Sequence, residues 1–248
     1  MRKFGLIGFP LGHSFSKGYF SKKFEIEKLN DCVYENYPIE RIELLNDIIN
    51  NNPELKGLNV TIPYKQQVMK HLDRIDAEAS EVGAVNTIKI VKEDSGIKLI
   101  GYNTDIFGFE KPLLEKLVAF HKSALILGTG GASKAVAYIL HKHGISFRYV
   151  SRNPKEDTVY SYSDLTHEIV QEYKIIVNTS PLGMHPDTDK CPSIPYEAIG
   201  KDHILYDLIY NPEETLFLRK GEERKAIVIN GLPMLYIQAE KSWEIWNS

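Results

Sequence analysis

Short apolar runs and amphipathic stretches alternate along this chain. Residues 4–9 read as a strand and 17–29 as a helix. Residues 31–38 read as a strand, and 41–50 as a helix in which Ile42, Leu45 and Ile49 recur at helical spacing. Another strand is predicted over 57–62, with a helix near 64–71. Residues 85–91 and 98–102 flank EDSG, a hairpin turn with Gly96 at its end. Strand and helix alternate, which predicts a largely parallel sheet covered by helices.

A second unit is predicted beyond Asp105. It opens with a helix over 107–120, to which Pro112 is a local objection. The apolar run 124–127 reads as a strand. Glycines follow, then a helix over 132–143 with Ala135, Val136, Ile139 and Leu140 on one face. Strands are predicted over 147–150, 175–178, 204–208 and 226–229, and an amphipathic helix over 233–246. This pattern describes a doubly wound α/β unit preceded by a smaller α/β unit.

Composition narrows the function classes. Of 248 residues, 43% are hydrophobic and 25% charged, which places the chain among globular proteins rather than disordered ones. The net charge is −3, from 30 basic and 33 acidic residues, and gives no reason to expect nucleic acid. Cys32 and Cys191 lack the spacing of a redox pair or a zinc site and suit a reducing compartment. The eight histidines form no ligand cluster, so no metal is expected. The apolar stretch 4–10 is too short and glycine-broken for a secretory signal, and no run reaches the ~20 apolar residues of a membrane helix. A soluble, cytoplasmic protein is expected.

The turn GTGGAS at 128–133 lies between a predicted strand and a predicted helix, where a dinucleotide-binding turn belongs. Glycine lets the backbone approach a pyrophosphate, and the helix N-terminus beyond offers free N–H groups. Ser133 replaces the third glycine of the usual pattern but is small. At the end of the next strand, where NAD-binding units carry an acid for the ribose 2′-hydroxyl, the chain reads YVSRN. Ser151 and Arg152 stand at that point. A guanidinium forms forked bonds to phosphate, so NADP is expected in preference to NAD.

The first unit carries polar residues in patterned places. Ser14 and Ser16, and Asn59 and Thr61, are each two apart and face one way in an extended chain. Lys65 follows Pro63. Asn86 opens a strand, Asp105 stands at the junction of the two units, and Gln238 lies on the closing helix. This set suits a small polyhydroxylated acid. Taken singly, the serines also suit turns or caps, the asparagines loop support, Lys65 a solvated surface, Asp105 a helix N-cap and Gln238 a helix surface.

Eight stretches settle the choice by resemblance: GFPLGHSFS at 8–16, GLNVTIPYK at 57–65, GAVNT at 83–87, GYNTDIFG at 101–108, GTGGASKA at 128–135, NTSPLGM at 178–184, DLIYNPEET at 207–215 and NGLPMLYIQAEKSWEIW at 230–246. In this order they resemble the shikimate dehydrogenase family across nearly the whole length. The family reduces 3-dehydroshikimate to shikimate with NADPH, on the way to chorismate and the aromatic amino acids. The resemblance implies that Ser14, Ser16, Asn59, Thr61, Asn86, Tyr210 and Gln238 bind substrate, with Asp105 joining them. It implies that Lys65 and Asp105 are the catalytic pair. Gly128, Gly130, Gly131 and Ala132 would form the phosphate turn. Ser151, Arg152 and Asn153 would meet the adenosine phosphate, and Thr179, Ile209 and Gly231 the nicotinamide.

The implied architecture is two domains with a cleft between them, residues 1–105 with 232–248 for substrate and 106–231 for NADP, the C-terminal helix returning to the first. A monomer or homodimer is expected. Three departures stand out: Lys17 where the family usually has proline, SRN followed by Pro154 where it usually has Asn-Arg-Thr, and a trimmed stretch after Arg152. None touches Lys65 or Asp105. Two alternatives remain at this point: a quinate/shikimate dehydrogenase using NAD, and a regulator that binds shikimate and NADP without turnover.

Overall fold

The apolar runs fold into two six-stranded sheets, seen in a computed structural model that describes residues 1–12, 15–94, 96–154 and 159–248. The chain divides into two compact units, Met1–Thr104 with Ala239–Ser248, and Asp105–Gln238.

In the first unit the elements are β1 (Arg2–Gly8), α1 (Phe15–Ile26), β2 (Cys32–Pro38), α2 (Leu45–Asn51), β3 (Leu55–Val60), β4 (Arg74–Ile75), α3 (Ala77–Val82), β5 (Thr87–Glu93) and β6 (Gly96–Tyr102). The sheet order is β2-β1-β3-β5-β6-β4. β1 runs parallel to β2 and β3, because α1 and α2 carry the chain back across the sheet. β5 is antiparallel to both β3 and β6. The sheet is largely parallel with one reversed strand: β5 runs against the other five, and the tight hairpin that pairs Glu93 with Gly96 returns β6 to their direction.

Several boundaries differ from the sequence reading. The helix expected near 64–71 is only a 3-10 turn over Gln67–His71. The short helix α3 has no counterpart among the predicted elements, although Gly83, in the left-handed conformation at φ 68°, closes it as a glycine C-cap does.

The last turns of the C-terminal helix belong to the first unit. Trp246 and Trp243 join Phe4, Phe20, Phe24 and Tyr34 in one aromatic cluster, with the Phe4 and Trp246 rings 5.0 Å apart and stacked. The indole lies on β3 at Gly57, and its Nε1–H donates to the Ile88 carbonyl at 3.0 Å. A Cβ on Gly57 would overlap the Trp246 indole.

In the second unit the elements are α4 (Asp105–Leu114), β7 (Ser123–Leu127), α5 (Gly131–Lys142), β8 (Ser146–Ser151), β9 (Val159–Ser161), α6 (His167–Glu172), β10 (Ile175–Asn178), β11 (Ile204–Asp207), α7 (Leu216–Glu223), β12 (Ile227–Ile229) and α8 (Leu232–Asn247), the last passing into the first unit at Ala239. The sheet runs β12-β11-β10-β7-β8-β9, every pair parallel. The order reverses between β7 and β10, the topological switch point of a doubly wound sheet. α4 ends at Leu114, six residues earlier than expected. Pro112 withholds a helix donor, and Leu114, Val118 and Phe120 are exposed instead of extending the apolar face.

Among the described residues, no helix is long and apolar enough to cross a membrane.

Gly57→Ala is expected to displace the Trp246 indole and lower stability by about 2 kcal/mol, the usual scale of overpacking a filled core. Chemical denaturation monitored by tryptophan fluorescence checks this.

Candidate active site

In the first unit, the candidate residues gather where β1 and β3 end and β5 begins. Thr61 N–H donates to the Ile7 carbonyl at 2.9 Å, and Val60 N–H to that of Asn86 at 2.8 Å. The Lys65 carbonyl accepts from Val85 N–H at 2.7 Å, so the lysine backbone is tied one residue before Asn86. Thr61 and Lys65 are half-buried at this edge, while Asn59 and Asn86 are buried. Ser14 lies outside the described residues.

Beneath them runs a network of neutral polar groups. Tyr34 donates to Asn59 Oδ1 at 2.8 Å. The Asn59 amide nitrogen donates to Ser242 Oγ at 3.0 Å, to Thr87 Oγ1 at 3.2 Å and more weakly to the Asn86 carbonyl at 3.4 Å. Asn86 Oδ1 accepts from Thr104 N–H at 2.7 Å, fixing the residue that precedes Asp105. Burial pushes the Tyr34 phenol above its ordinary value, opposed by a hydrogen bond with Ser16, so Ser16 joins the same chain of groups. Both amide donors of Asn59 are committed inside the unit. Its place is under the candidate site, holding Asn86 and Thr87. Sequence reading does not single out Tyr34, Thr87, Thr104 or Ser242. The available signal is a serine among Ala239, Trp243 and Trp246 on the apolar side of the closing helix.

Asp105 and Gln238 belong to the second unit, on neighbouring helices. Gly108, one turn after Asp105, lets α4 meet α8 closely: a Cβ there would stand 2.7 Å from the Met234 carbonyl and 3.2 Å from Gln238 Cβ. Asp105 is buried at the first position of α4. Gln238 is half-buried and donates to the Leu235 carbonyl at 3.1 Å. Tyr210 is half-buried three residues beyond β11.

The remaining candidates line the carboxyl edge of the second sheet. Gly128 follows β7 at φ 118°. A Cβ there would come within 2.7 Å of Thr179 Oγ1, which itself donates to the Leu127 carbonyl at 3.0 Å. Gly130 caps α5 in extended conformation, and a Cβ there would meet nothing within 4 Å. That open space before a helix N-terminus, continued by Gly131 and Ala132 in its first turn, is what a pyrophosphate needs. Ser133 is buried as the missing glycine would be, and its hydroxyl donates to the Gly130 carbonyl at 2.7 Å. Ser151 ends β8 and accepts from Asn153 N–H at 3.3 Å, while Arg152 and Asn153 are exposed. Gly231 N–H donates to the Ile209 carbonyl at 2.9 Å, and a Cβ on Gly231 would collide with the Leu208 carbonyl.

Doubly wound order, a glycine turn at the switch point and an arginine at the end of the second strand define an NADP-binding oxidoreductase class of protein. The family model for the shikimate dehydrogenase substrate binding domain matches residues 6–88. The shikimate dehydrogenase (NADP(+)) of Methanococcus maripaludis strain C7 is 40% identical over 258 residues, covering 98% of this chain and 90% of that one. A crystal structure of the Thermus thermophilus shikimate 5-dehydrogenase with NADP(H) and shikimate superposes at TM-score 0.83, 30% identical, covering 99% of this chain and 93% of that one. The Listeria monocytogenes shikimate 5-dehydrogenase, solved with shikimate and NAD, gives TM-score 0.84 at 28% identity, covering 99% and 91%. The chain belongs to the shikimate dehydrogenase family.

Gly128→Ala is expected to weaken NADPH binding about tenfold or more, since a Cβ at positive φ costs roughly 1–2 kcal/mol before its contact with Thr179 is counted. Fluorescence titration of NADPH reads the change, with circular dichroism confirming the fold.

Proposed function

We propose that this protein interconverts 3-dehydroshikimate and shikimate with NADP(H), in the cytoplasm, as a monomer or homodimer. The observation that carries the reading is 40% identity over 98% of the chain to an NADP-dependent shikimate dehydrogenase. The architecture proposed for this activity is a substrate domain of residues 1–105 with 232–248 and a cofactor domain of residues 106–231.

When bound, NADPH supplies the hydride. Gly130, Gly131 and Ala132 hold its pyrophosphate through backbone N–H groups at the start of α5, and Gly128, whose own N–H donates to the Val150 carbonyl at 2.9 Å, shapes the turn that brings it there. Ser151, Arg152 and Asn153 take the 2′-phosphate, with the Arg152 guanidinium providing the charge-assisted bonds. Thr179, Ile209 and Gly231 set the nicotinamide.

Ser14, Ser16, Thr61, Asn86, Tyr210 and Gln238 bind the carboxylate and hydroxyls of the substrate. Asn59 contributes from beneath, by holding Asn86 and Thr87. Lys65 Nζ faces the carbonyl oxygen, stabilises the negative charge that develops there and donates the proton that completes the alcohol. Asp105 keeps the ammonium oriented and accepts a hydrogen bond from a neighbouring hydroxyl. In shikimate oxidation the same Nζ takes the proton back.

Two measurements test this. Initial rates of shikimate oxidation with NADP and with NAD at matched concentrations should favour NADP strongly, and Arg152→Ala should reduce that preference by about tenfold or more, the worth of one hydrogen bond to a charged group. Equal rates, or a preference for NAD, would retain the dehydrogenase and remove the role of Arg152. Lys65→Ala should lower kcat by about 100- to 10,000-fold, the range of general acid–base catalysis. Near-full turnover in that variant with a flat pH profile would remove Lys65 as the proton donor.

A further inference from the structure

Behind the carboxyl edge of the second sheet lies a charged group to which neither the glycine turn nor the proton donor gives a role. Asp207 is fully buried at the end of β11, paired in register with Asn178 at the end of β10. Its Oδ1 accepts from the Asn178 side-chain amide and from Ile209 N–H, both at 3.0 Å. Its Oδ2 accepts from the Thr215 hydroxyl at 2.6 Å. Among the described residues it has no ion-pair partner, and its charge is met by these neutral donors.

Each bond fixes a different piece of chain. Asn178 Oδ1 takes both the N–H and the hydroxyl of Ser180, at 3.1 and 2.6 Å, which sets the path of Thr179 between them. Ile209 is held directly. Thr215 is the N-cap of α7 and accepts from Leu218 N–H at 3.3 Å, which anchors the far end of the loop containing Tyr210. One carboxylate thus closes the two loops that leave β10 and β11.

We infer that Asp207 is a positioning residue for the nicotinamide end of the cofactor, holding Thr179 and Ile209 in place through this network. The inference rests on the cofactor assignment of the preceding subsection.

The choice of an acid follows from the donors around it. An ionised carboxylate only accepts, and all three neighbours donate. An asparagine would keep one oxygen for Asn178 and Ile209 but turn an NH₂ group towards Thr215, whose hydroxyl would lose the acceptor it now donates to and have to take a second bond beside the one from Leu218. Burial pushes the Asp207 carboxyl up to about 6, with the bonds from Thr215, Ile209 and Asn178 opposing it. A buried charge with no cation beside it costs stability, and folding alone is better served by a neutral group. The geometry of the loops is what the charge maintains.

Asp207→Asn tests this. NADPH and 3-dehydroshikimate are each varied at saturating levels of the other, with fluorescence titration of NADPH and thermal melting alongside. KM for NADPH should rise and kcat fall, each about tenfold, as expected for one hydrogen bond to a charged group. KM for 3-dehydroshikimate should rise less than KM for NADPH, because Tyr210 alone among the residues so anchored meets the substrate. Equal shifts in both KM values, or a lowered melting temperature with unchanged kinetics per folded molecule, would overturn the inference. If Asp207→Asn does not fold, Thr215→Ser keeps both the donor to Asp207 and the cap for Leu218 N–H as a control, while Thr215→Val removes both and should shift the NADPH parameters in the same direction by about threefold, a fraction of the same bond energy. No shift there would overturn it equally. Wild-type protein that binds NADPH without reducing 3-dehydroshikimate would sink the proposed activity, while the titrations still decide the role of Asp207. Tight NADPH binding unchanged in Asp207→Asn would sink that role and leave the activity standing. Wild-type protein that fails to bind NADPH would sink both.

Discussion

A parallel sheet ends in a row of backbone groups that no further strand can pair, and the cofactor half of this protein is organised around how those groups are satisfied. At β7 and β10 the answer is a cross-link: both the amide and the hydroxyl of Thr179 donate to the Leu127 carbonyl. At β10 and β11 it is a pair of side chains, Asn178 and Asp207, that take over the donors of the departing loops. The polypeptide alone therefore sets the shape of the switch point, because unpaired buried amides would be costly. Positive φ at Gly128 and the close approach of Gly231 to Leu208 are the local consequences of packing those loops tightly.

The first unit solves the same kind of problem without charge. Asn59, Asn86, Thr87, Thr104, Ser242 and Tyr34 form a connected set of amides and hydroxyls. The hydroxyls of Thr87, Thr104 and Ser242 can each donate or accept, so they can turn their protons without moving heavy atoms while the two amides stay fixed. A carboxylate cannot do this. The neutral network suits the substrate-binding role proposed for this region, whereas the Asp207 network suits loops that hold one position.

The two-unit α/β architecture is legible because apolar runs and helical spacings both survive in the pattern, and the glycine turn at 128–133 sits between its strand and helix as expected. Errors arise where local pattern and tertiary context part. The hairpin between β5 and β6 is expected from its turn, but that β5 enters the sheet against β3 is a matter of how the chain returns through β4 and α3, which lies outside any single segment. The helix expected over 107–120 is too long because Val118 and Phe120 look like a continued apolar face but remain exposed. The candidate site residues come from family motifs rather than from chemistry alone. Asn178 and Asp207 lie inside those motifs, yet nothing in a linear sequence tells that two polar residues ending separate apolar strands will share hydrogen bonds.

Neighbouring glycines in the phosphate turn answer to different masters. Gly128 is demanded by the fold, since its backbone angle and its distance to Thr179 exclude a side chain whatever the protein binds. Gly130 is not: its backbone is extended and the space beside it is open. The polypeptide would tolerate a methyl there, and only a nucleotide would notice. Within three residues, the architecture constrains one glycine and leaves the other free, so under the proposed cofactor binding variation at the second would tune affinity while leaving the scaffold unaware of it.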